Sequence, residues 1–169
     1  MILHSSGTKG KDALSNHLNF GVFYPLQTFS FNKKIDFTKT PILIEGNSQK
    51  SLEKLKELCR ILEVEFEEVD SKKRLHYHLA ASFANNFTNH ILSLTDELVN
   101  KFKLEKKFFI PIANETFKKF QSNKSKESQT GPAVRNDVKT LERHEEILKK
   151  SNYLNLYKII TKSIKKNDL

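Results

Sequence analysis

The sequence predicts an α/β segment followed by an all-α segment. Three observations carry that expectation. Short β-type runs punctuate residues 1–70, helical spacing takes over from Asp70 onward, and neither Gly nor Pro interrupts residues 71–103.

The first half reads in order as four runs, 2–4, 21–24, 42–45 and 64–69. Each is short and rich in β-branched or aromatic residues, as strands are. Between the last two, residues 48–62 place Leu52, Leu55, Leu58 and Leu62 at helical spacing, and Asn47 or Ser48 can cap the helix start. That is a strand-helix-strand unit. Ile2-Leu3-His4 already reads as a core strand with nothing before it to complete a sheet. A sheet of so few strands leaves an exposed edge, so a missing N-terminal partner is expected: a truncated chain, a split gene or a misassigned start.

The second half reads as helices. The first spans 71–103, with Asp70 or Ser71 as cap, and the next spans 105–120, with Pro111 in its first turns, where proline is tolerated. The polar segment 121–135, with Ser122, Asn123, Ser125, Ser128 and Thr130, is expected as a long loop, and such loops are often functional. Helices at 137–149 and 153–165 close the chain. The domains expected are thus 1–70 and 71–169, with no internal repeat.

A length of 169 residues suits one domain or two small ones. Cys59 is the only cysteine, which excludes an internal disulfide and a cysteine-cluster metal site and fits a reducing compartment. No metal is expected. There is neither an apolar run of membrane-spanning length nor a signal-peptide pattern, so a cytoplasmic protein with no membrane partner is expected. Net charge is +9: residues 1–70 hold nine Lys and Arg against ten acids, and 71–169 hold twenty against ten. Such a basic half can attract phosphates. A solvated lysine surface is the preferred explanation, because Lys outnumbers Arg and no compact aromatic-basic cluster appears, and nucleic acid is not the expected partner.

Projecting residues 71–103 at about 100° per residue separates two faces. Leu75, Leu79, Phe83, Phe87, Ile91, Leu94 and Leu98 form a broad apolar side expected to pack on a core. Ser71, Arg74, His78, Ala81, Asn85, Asn89 and Asp96 fall within an arc of roughly 80° on the other. Asn and His are poorer helix formers than the Glu, Lys and Arg usual on a solvated face. They can hold a small polar substrate through directed hydrogen bonds, with His78 exchanging a proton near neutral pH. Helix-helix hydrogen bonds in a dimer explain the stripe equally well.

Three other segments carry candidate chemistry. His4-Ser5-Ser6-Gly7-Thr8 follows a strand, and ligands of open α/β sheets bind at the carboxyl ends of strands, although an ordinary Ser-Gly turn accounts for it as well. Gly7 and Gly10 form neither GxGxxG nor a Walker loop. Pro25 ends a strand and leads into Gln27 and Thr28, in a stretch whose aromatics are more often core than ligand platform. Arg135, with Thr140 and His144 following, can pair with a carboxylate or phosphate. Spacing alone favours a helix cap at Asn136 or Asp137 with Arg135 as a surface charge.

Five blocks in order then carry a resemblance. They are His4-Ser-Ser-Gly7; Gly21-Val-Phe-Tyr-Pro-Leu-Gln-Thr-Phe-Ser30; Pro41-Ile-Leu-Ile-Glu-Gly-Asn-Ser48; His78-Leu-Ala-Ala-Ser-Phe-Ala-Asn-Asn-Phe-Thr-Asn-His90; and Thr130-Gly-Pro-Ala-Val-Arg135. The chain resembles, over nearly its whole length, the Rossmann-type oxidoreductases whose C-terminal part is the domain of unknown function 2520. That resemblance implies a partial Rossmann-type sheet followed by a helical dimerisation domain like those of pyrroline-5-carboxylate reductase and related dehydrogenases. It implies a homodimer, NADP or NAD as cofactor, and hydride transfer to or from a small C=O or C=N compound. His78, Asn85 and Asn89 are then the candidate catalytic or substrate-positioning groups. Ser5 and Ser6 stand near the nicotinamide, and Arg135, His144 and Gln27 bind the substrate. Because the nucleotide fingerprint is absent, the chain alone is expected to be inactive. Two other readings stay open: a non-catalytic helical dimerisation or binding module, and a basic helical nucleic-acid binder motivated only by charge.

Overall fold

The computed structural model describes residues 1–29, 34–122 and 125–166, the last without its side chain. Ser30 and Asn123, singled out in the sequence, lie outside the described residues. The chain divides into two compact units, Met1–Phe102 and Lys103–Leu169. The change from strands to helices falls earlier, at Asp70.

The first unit is built on a four-stranded mixed sheet in the order β1 (Ile2–His4), β2 (Phe20–Pro25), β3 (Ile42–Gly46) and β4 (Phe66–Glu68). β1 runs parallel to β2, β2 antiparallel to β3, and β3 parallel to β4, with Ile42 opposite Phe66. The α/β class expected from the sequence holds. Its strand-helix-strand unit is β3, α1 (Gln49–Ile61) and β4. Ser48 caps α1 by accepting the Ser51 N–H at 3.2 Å, and Asn47 Oδ1 accepts both the Ser51 hydroxyl and the Phe20 N–H. Leu52, Leu55 and Cys59 of α1 bury against Ile42 and Ile44, and Val64 completes the cluster. Burial pushes the Cys59 thiol above its ordinary pKa, which suits packing and not reactivity. Glycines permit the close approaches. A Cβ on Gly21 would sit 2.4 Å from the Glu45 carbonyl oxygen, so β2 meets β3 where no larger residue fits.

The expected long helix is interrupted. α2 (Ser71–Ala81) passes into a π-helical stretch, Ser82–Phe87, before α3 (Thr88–Lys101) resumes. Asp70 caps α2 by accepting the Lys73 N–H at 2.6 Å. A π turn in effect inserts one residue, so the helix beyond it lags a uniform projection by about 100°. Arg74 is fully buried and His78 and Asn85 are half-buried before and within the π turn; beyond it Val99 is buried, Thr88 is half-buried and Asn89 is exposed.

The apolar side of this helix, expected to face the core, is exposed as far as Ile91, whereas Leu94 and Leu98 are half-buried. Leu75, Leu79, Phe83, Phe87 and Ile91 are between 40% and 62% exposed. The polar stripe turns toward the sheet because its partners there are polar: a carboxylate, a carbonyl and a phenol. Four-residue spacing in a uniform α-helix would wind from Leu75 to Ile91 through roughly 160°; the π turn cuts that drift to about 60° and keeps the apolar row on one face. Phe83 and Phe87 meet edge to face at 4.9 Å.

The second unit holds α4 (Ile110–Gln121), α5 (Val138–Leu148) and α6 (Leu154–Lys166). Pro111 stands in the first turn of α4, as expected. Asp137 caps α5 by accepting the Thr140 N–H at 3.1 Å, and Leu141 and Leu148 are buried. Beyond Gln121, which ends α4, the polar segment before α5 contains no helix or strand among its described residues. No helix among the described residues is long and apolar enough to cross a membrane.

Candidate functional site

The site grows from the carboxyl end of β1. His4 Nδ1 accepts the Ser6 N–H at 3.2 Å, and His4 Nε2 lies 3.2 Å from the Gly10 carbonyl, so the ring braces the turn that follows. The Ser6 hydroxyl oxygen accepts the N–H groups of Thr8 and Lys9 at 3.2 and 3.1 Å. Ser6 is therefore largely spent on shaping this loop. Ser5 is exposed, and its hydroxyl has no partner among the described residues.

The loop is pressed against His78 of α2 at Gly7, which is buried. A Cβ there would stand 2.7 Å from His78 Nδ1 and 3.0 Å from Tyr24 Cζ. Tyr24, near the end of β2, brings its hydroxyl to 3.1 Å from His78 Nδ1, with the two rings edge to face at 6.2 Å. Burial raises the Tyr24 pKa, so this phenol keeps its proton across the physiological range. Gly7→Ala is expected to pry Tyr24 from His78 and to cost about 1–3 kcal/mol of stability, the usual range for overpacking. Equilibrium urea unfolding measures the cost, and an alanine variant as stable as the parent would show that the loop yields freely.

Beneath the loop lies a buried ion pair. Arg74 is 0% exposed and bonds Glu45 Oε2 through Nη1, while its Nη2 donates to the Lys9 carbonyl at 2.6 Å and to Ser71 Oγ at 3.2 Å. Ser71 in turn donates to Glu45 at 2.8 Å, and Lys11 Nζ reaches the other Glu45 oxygen at 3.2 Å. Burial pushes the Glu45 carboxyl up, but Arg74, Ser71 and Lys11 together outweigh it and hold the pKa below the ordinary glutamate value. Arg74 Nε is buried with no partner among the described residues, so the cluster carries one unmet donor there. One network thus ties β3, the start of α2 and the loop after β1 together.

The structure brings Ser6, Gly7, Tyr24 and His78 into one place. Asn85 is half-buried within the π turn, Asn89 is exposed on α3, and neither is hydrogen-bonded through its side chain to the Tyr24–His78 pair. Gln27 is exposed beyond β2, and its Oε1 accepts the Thr28 N–H at 2.8 Å. Arg135 and His144 are exposed in the second unit, where His144 Nδ1 lies 2.9 Å from the Tyr157 hydroxyl. Sequence reasoning missed Tyr24, Glu45 and Lys11. A glutamate ending the apolar run Ile42-Leu43-Ile44 was the available signal, since a charge entering a core requires a partner. Tyr24 offered none, because a tyrosine near a strand end packs in many ways. Among the described residues, no group of three or more His, Cys, Asp or Glu side chains is placed to hold a metal ion.

Comparison with known proteins bears on this arrangement. No curated protein matches the chain. A Bacteroides fragilis protein whose structure is named "putative NADP oxidoreductase" is 34% identical, with a TM-score of 0.91 over 98% of this chain, and the chain spans 65% of that protein. A Thermotoga maritima protein is 21% identical, with a TM-score of 0.74 over 97% of this chain and 67% of its own, and it shows the fold alone. The family model described as "Domain of unknown function (DUF2520)" matches residues 40–164, a span that includes Glu45, Arg74, His78 and the whole π-interrupted helix. The chain, with its Rossmann-like sheet and helical second half, belongs to that family.

Proposed function

We propose that the chain is the substrate-facing part of an NADP-dependent oxidoreductase acting on a small C=O or C=N compound. The observation that carries this reading is the meeting of His78 and Tyr24 with the loop at the carboxyl end of β1, the edge of an α/β sheet at which ligands bind. The name of the Bacteroides fragilis protein supports NADP over NAD.

The residues fit one end of such a cofactor. Ser5 presents a hydroxyl unpartnered among the described residues, suited to a nicotinamide carboxamide, and Ser6 supplies the turn that presents it. Residues 1–169 contain no glycine-rich pyrophosphate loop, so the fit is to the nicotinamide end alone. The cofactor, when bound, supplies or accepts the hydride. The chain's own residues hold the substrate and stabilise charge: His78 donates to the reacting oxygen or nitrogen, with Asn85 and Asn89 orienting the compound. Gln27 is a further substrate-binding group in this reading. Arg135 and His144 belong to the second unit, and their part in binding is proposed from the family resemblance alone.

The test is calorimetric titration of the polypeptide as the cell makes it with NADP and NAD. NADPH consumption is then followed against small aldehydes, ketones and imines. Tighter binding of NADP and compound-dependent consumption are expected. A protein that binds neither nucleotide and turns over none would overturn the reading in favour of a non-catalytic module.

A homodimer completes the proposal. The row Leu75, Leu79, Phe83, Phe87 and Ile91 is a continuous apolar face of the kind helices cover with another helix. A second copy presents the same row, which makes a self-complementary two-fold contact. Sedimentation equilibrium is expected to give twice the chain mass, and a Leu79→Glu/Phe83→Glu variant the single mass. An unmodified protein that stays single at high concentration would sink this part.

A further inference from the structure

We propose that Tyr24 is the positioning residue of His78: its hydroxyl donates to Nδ1, fixes the neutral ring as the Nε2–H tautomer, and leaves Nε2 as the hydrogen-bond donor toward substrate. The inference deepens the function proposed above and rests on it for the role of His78. Its geometry stands apart. The Tyr24 oxygen lies 3.1 Å from His78 Nδ1, and neither that hydroxyl nor His78 Nε2 has another hydrogen-bond partner among the described residues.

The direction of the bond follows from the chemistry of the two groups. A phenol has one proton to give, and a neutral imidazole nitrogen accepts it better than a phenol oxygen accepts an imidazole N–H. With Nδ1 accepting, the ring proton must sit on Nε2, because in a neutral imidazole the partner of one nitrogen decides the state of the other. Gly7 closes off the Nδ1 side: the space a Cβ would need is filled by Nδ1, Cγ and the Tyr24 ring. A ligand therefore meets Nε2.

The consequence is a choice of role. A neutral imidazole that presents N–H polarises a carbonyl or imine by donating to it, and cannot at the same nitrogen remove a proton. His78 is thus built as an electrophilic donor in its neutral form, with Tyr24 setting that form through the far nitrogen. Sequence spacing gave no hint of it, since 54 residues separate the pair.

Nitrogen-15 NMR of the labelled protein, above the ordinary histidine pKa of about 6.5, reads the tautomer without any turnover. The expected spectrum for His78 shows a pyridine-like Nδ1 and a pyrrole-like Nε2. In Tyr24→Phe, which keeps the ring and loses the hydroxyl, Nδ1 is expected to move toward the pyrrole type as the second tautomer populates. Should that variant fail to fold, replacing tyrosine with the more acidic 3-fluorotyrosine must shift His78 Nδ1. A pyrrole-like Nδ1 in the unmodified protein, or a spectrum unmoved by either change, overturns the proposal. Failure of the oxidoreductase reading looks different: the tautomer responds to Tyr24, yet no nicotinamide cofactor is bound or consumed.

Discussion

Replacing Arg74 with methionine is expected to lower the unfolding free energy by about 3–5 kcal/mol, the cost of leaving one member of a buried ion pair uncompensated. The loss has three parts: Glu45 loses its guanidinium, the Lys9 carbonyl loses a donor, and Ser71 loses a partner. Lys11 and Ser71 still reach Glu45, so the carboxylate is not wholly abandoned. Replacing both charges, Glu45→Met with Arg74→Met, is expected to cost less than Arg74→Met alone, because no fully buried charge is left unpaired and the Lys11 ammonium, 34% exposed, can turn to water. Urea unfolding of the three proteins measures the difference, and a double variant weaker than the single one would show that the network, and not the unpaired charge, carries the cost.

The pH dependence has a definite sign. Glu45 is held below its ordinary value of 4.5 in the folded chain, so its contribution is fully present above that value and is lost as pH falls through the depressed folded pKa. In Arg74→Met the opposing effect of burial gains, and the charged carboxylate becomes a burden that protonation relieves. The gap between parent and variant is therefore expected to begin narrowing above pH 4.5, where the variant's carboxyl takes up its proton, and to go on narrowing as pH falls through the parent's depressed folded pKa. A gap constant from neutral to acid pH would place the destabilisation elsewhere.

Replacing His78 with alanine is expected to reduce kcat about 10²–10³-fold in the proposed reaction, the loss typical of removing one donor to developing charge. Nucleotide affinity should change little, because the proposed reading puts His78 beside the nicotinamide and not at a phosphate. His78→Gln separates the possible roles. A glutamine amide can donate but cannot serve as a proton carrier, so partial recovery relative to alanine is expected of a donor. Steady-state kinetics on the three proteins decides: a glutamine variant as impaired as alanine would make His78 a proton-transfer group and not a donor.

Much of this fold was legible because it is local. Leu52, Leu55 and Leu58 share one side of α1, Ser48 stands where a cap is needed, and Ile42-Leu43-Ile44 reads as a buried strand. Each of these signals depends on residues a few positions apart. The candidate site was legible only in part. Ser71, Arg74 and His78 at helical spacing, with Asn85 and Asn89 beyond them, drew attention to the helix that meets Glu45 and Tyr24.

What the sequence by itself determined, then, was the order of strands and helices, the caps and the existence of two faces on the helix from Ser71 onward. Tertiary structure alone decided which face turned inward. Periodicity separates polar from apolar but carries no information about the neighbour, and here the neighbour offers Glu45, the Lys9 carbonyl and the Tyr24 hydroxyl. It also decided the π turn at Ser82–Phe87, which no composition signal announced and which resets every projection beyond it. Finally it brought Tyr24 to His78, because a hydrogen bond between two strangers in sequence exists only once the sheet and the helix have fixed where each of them stands.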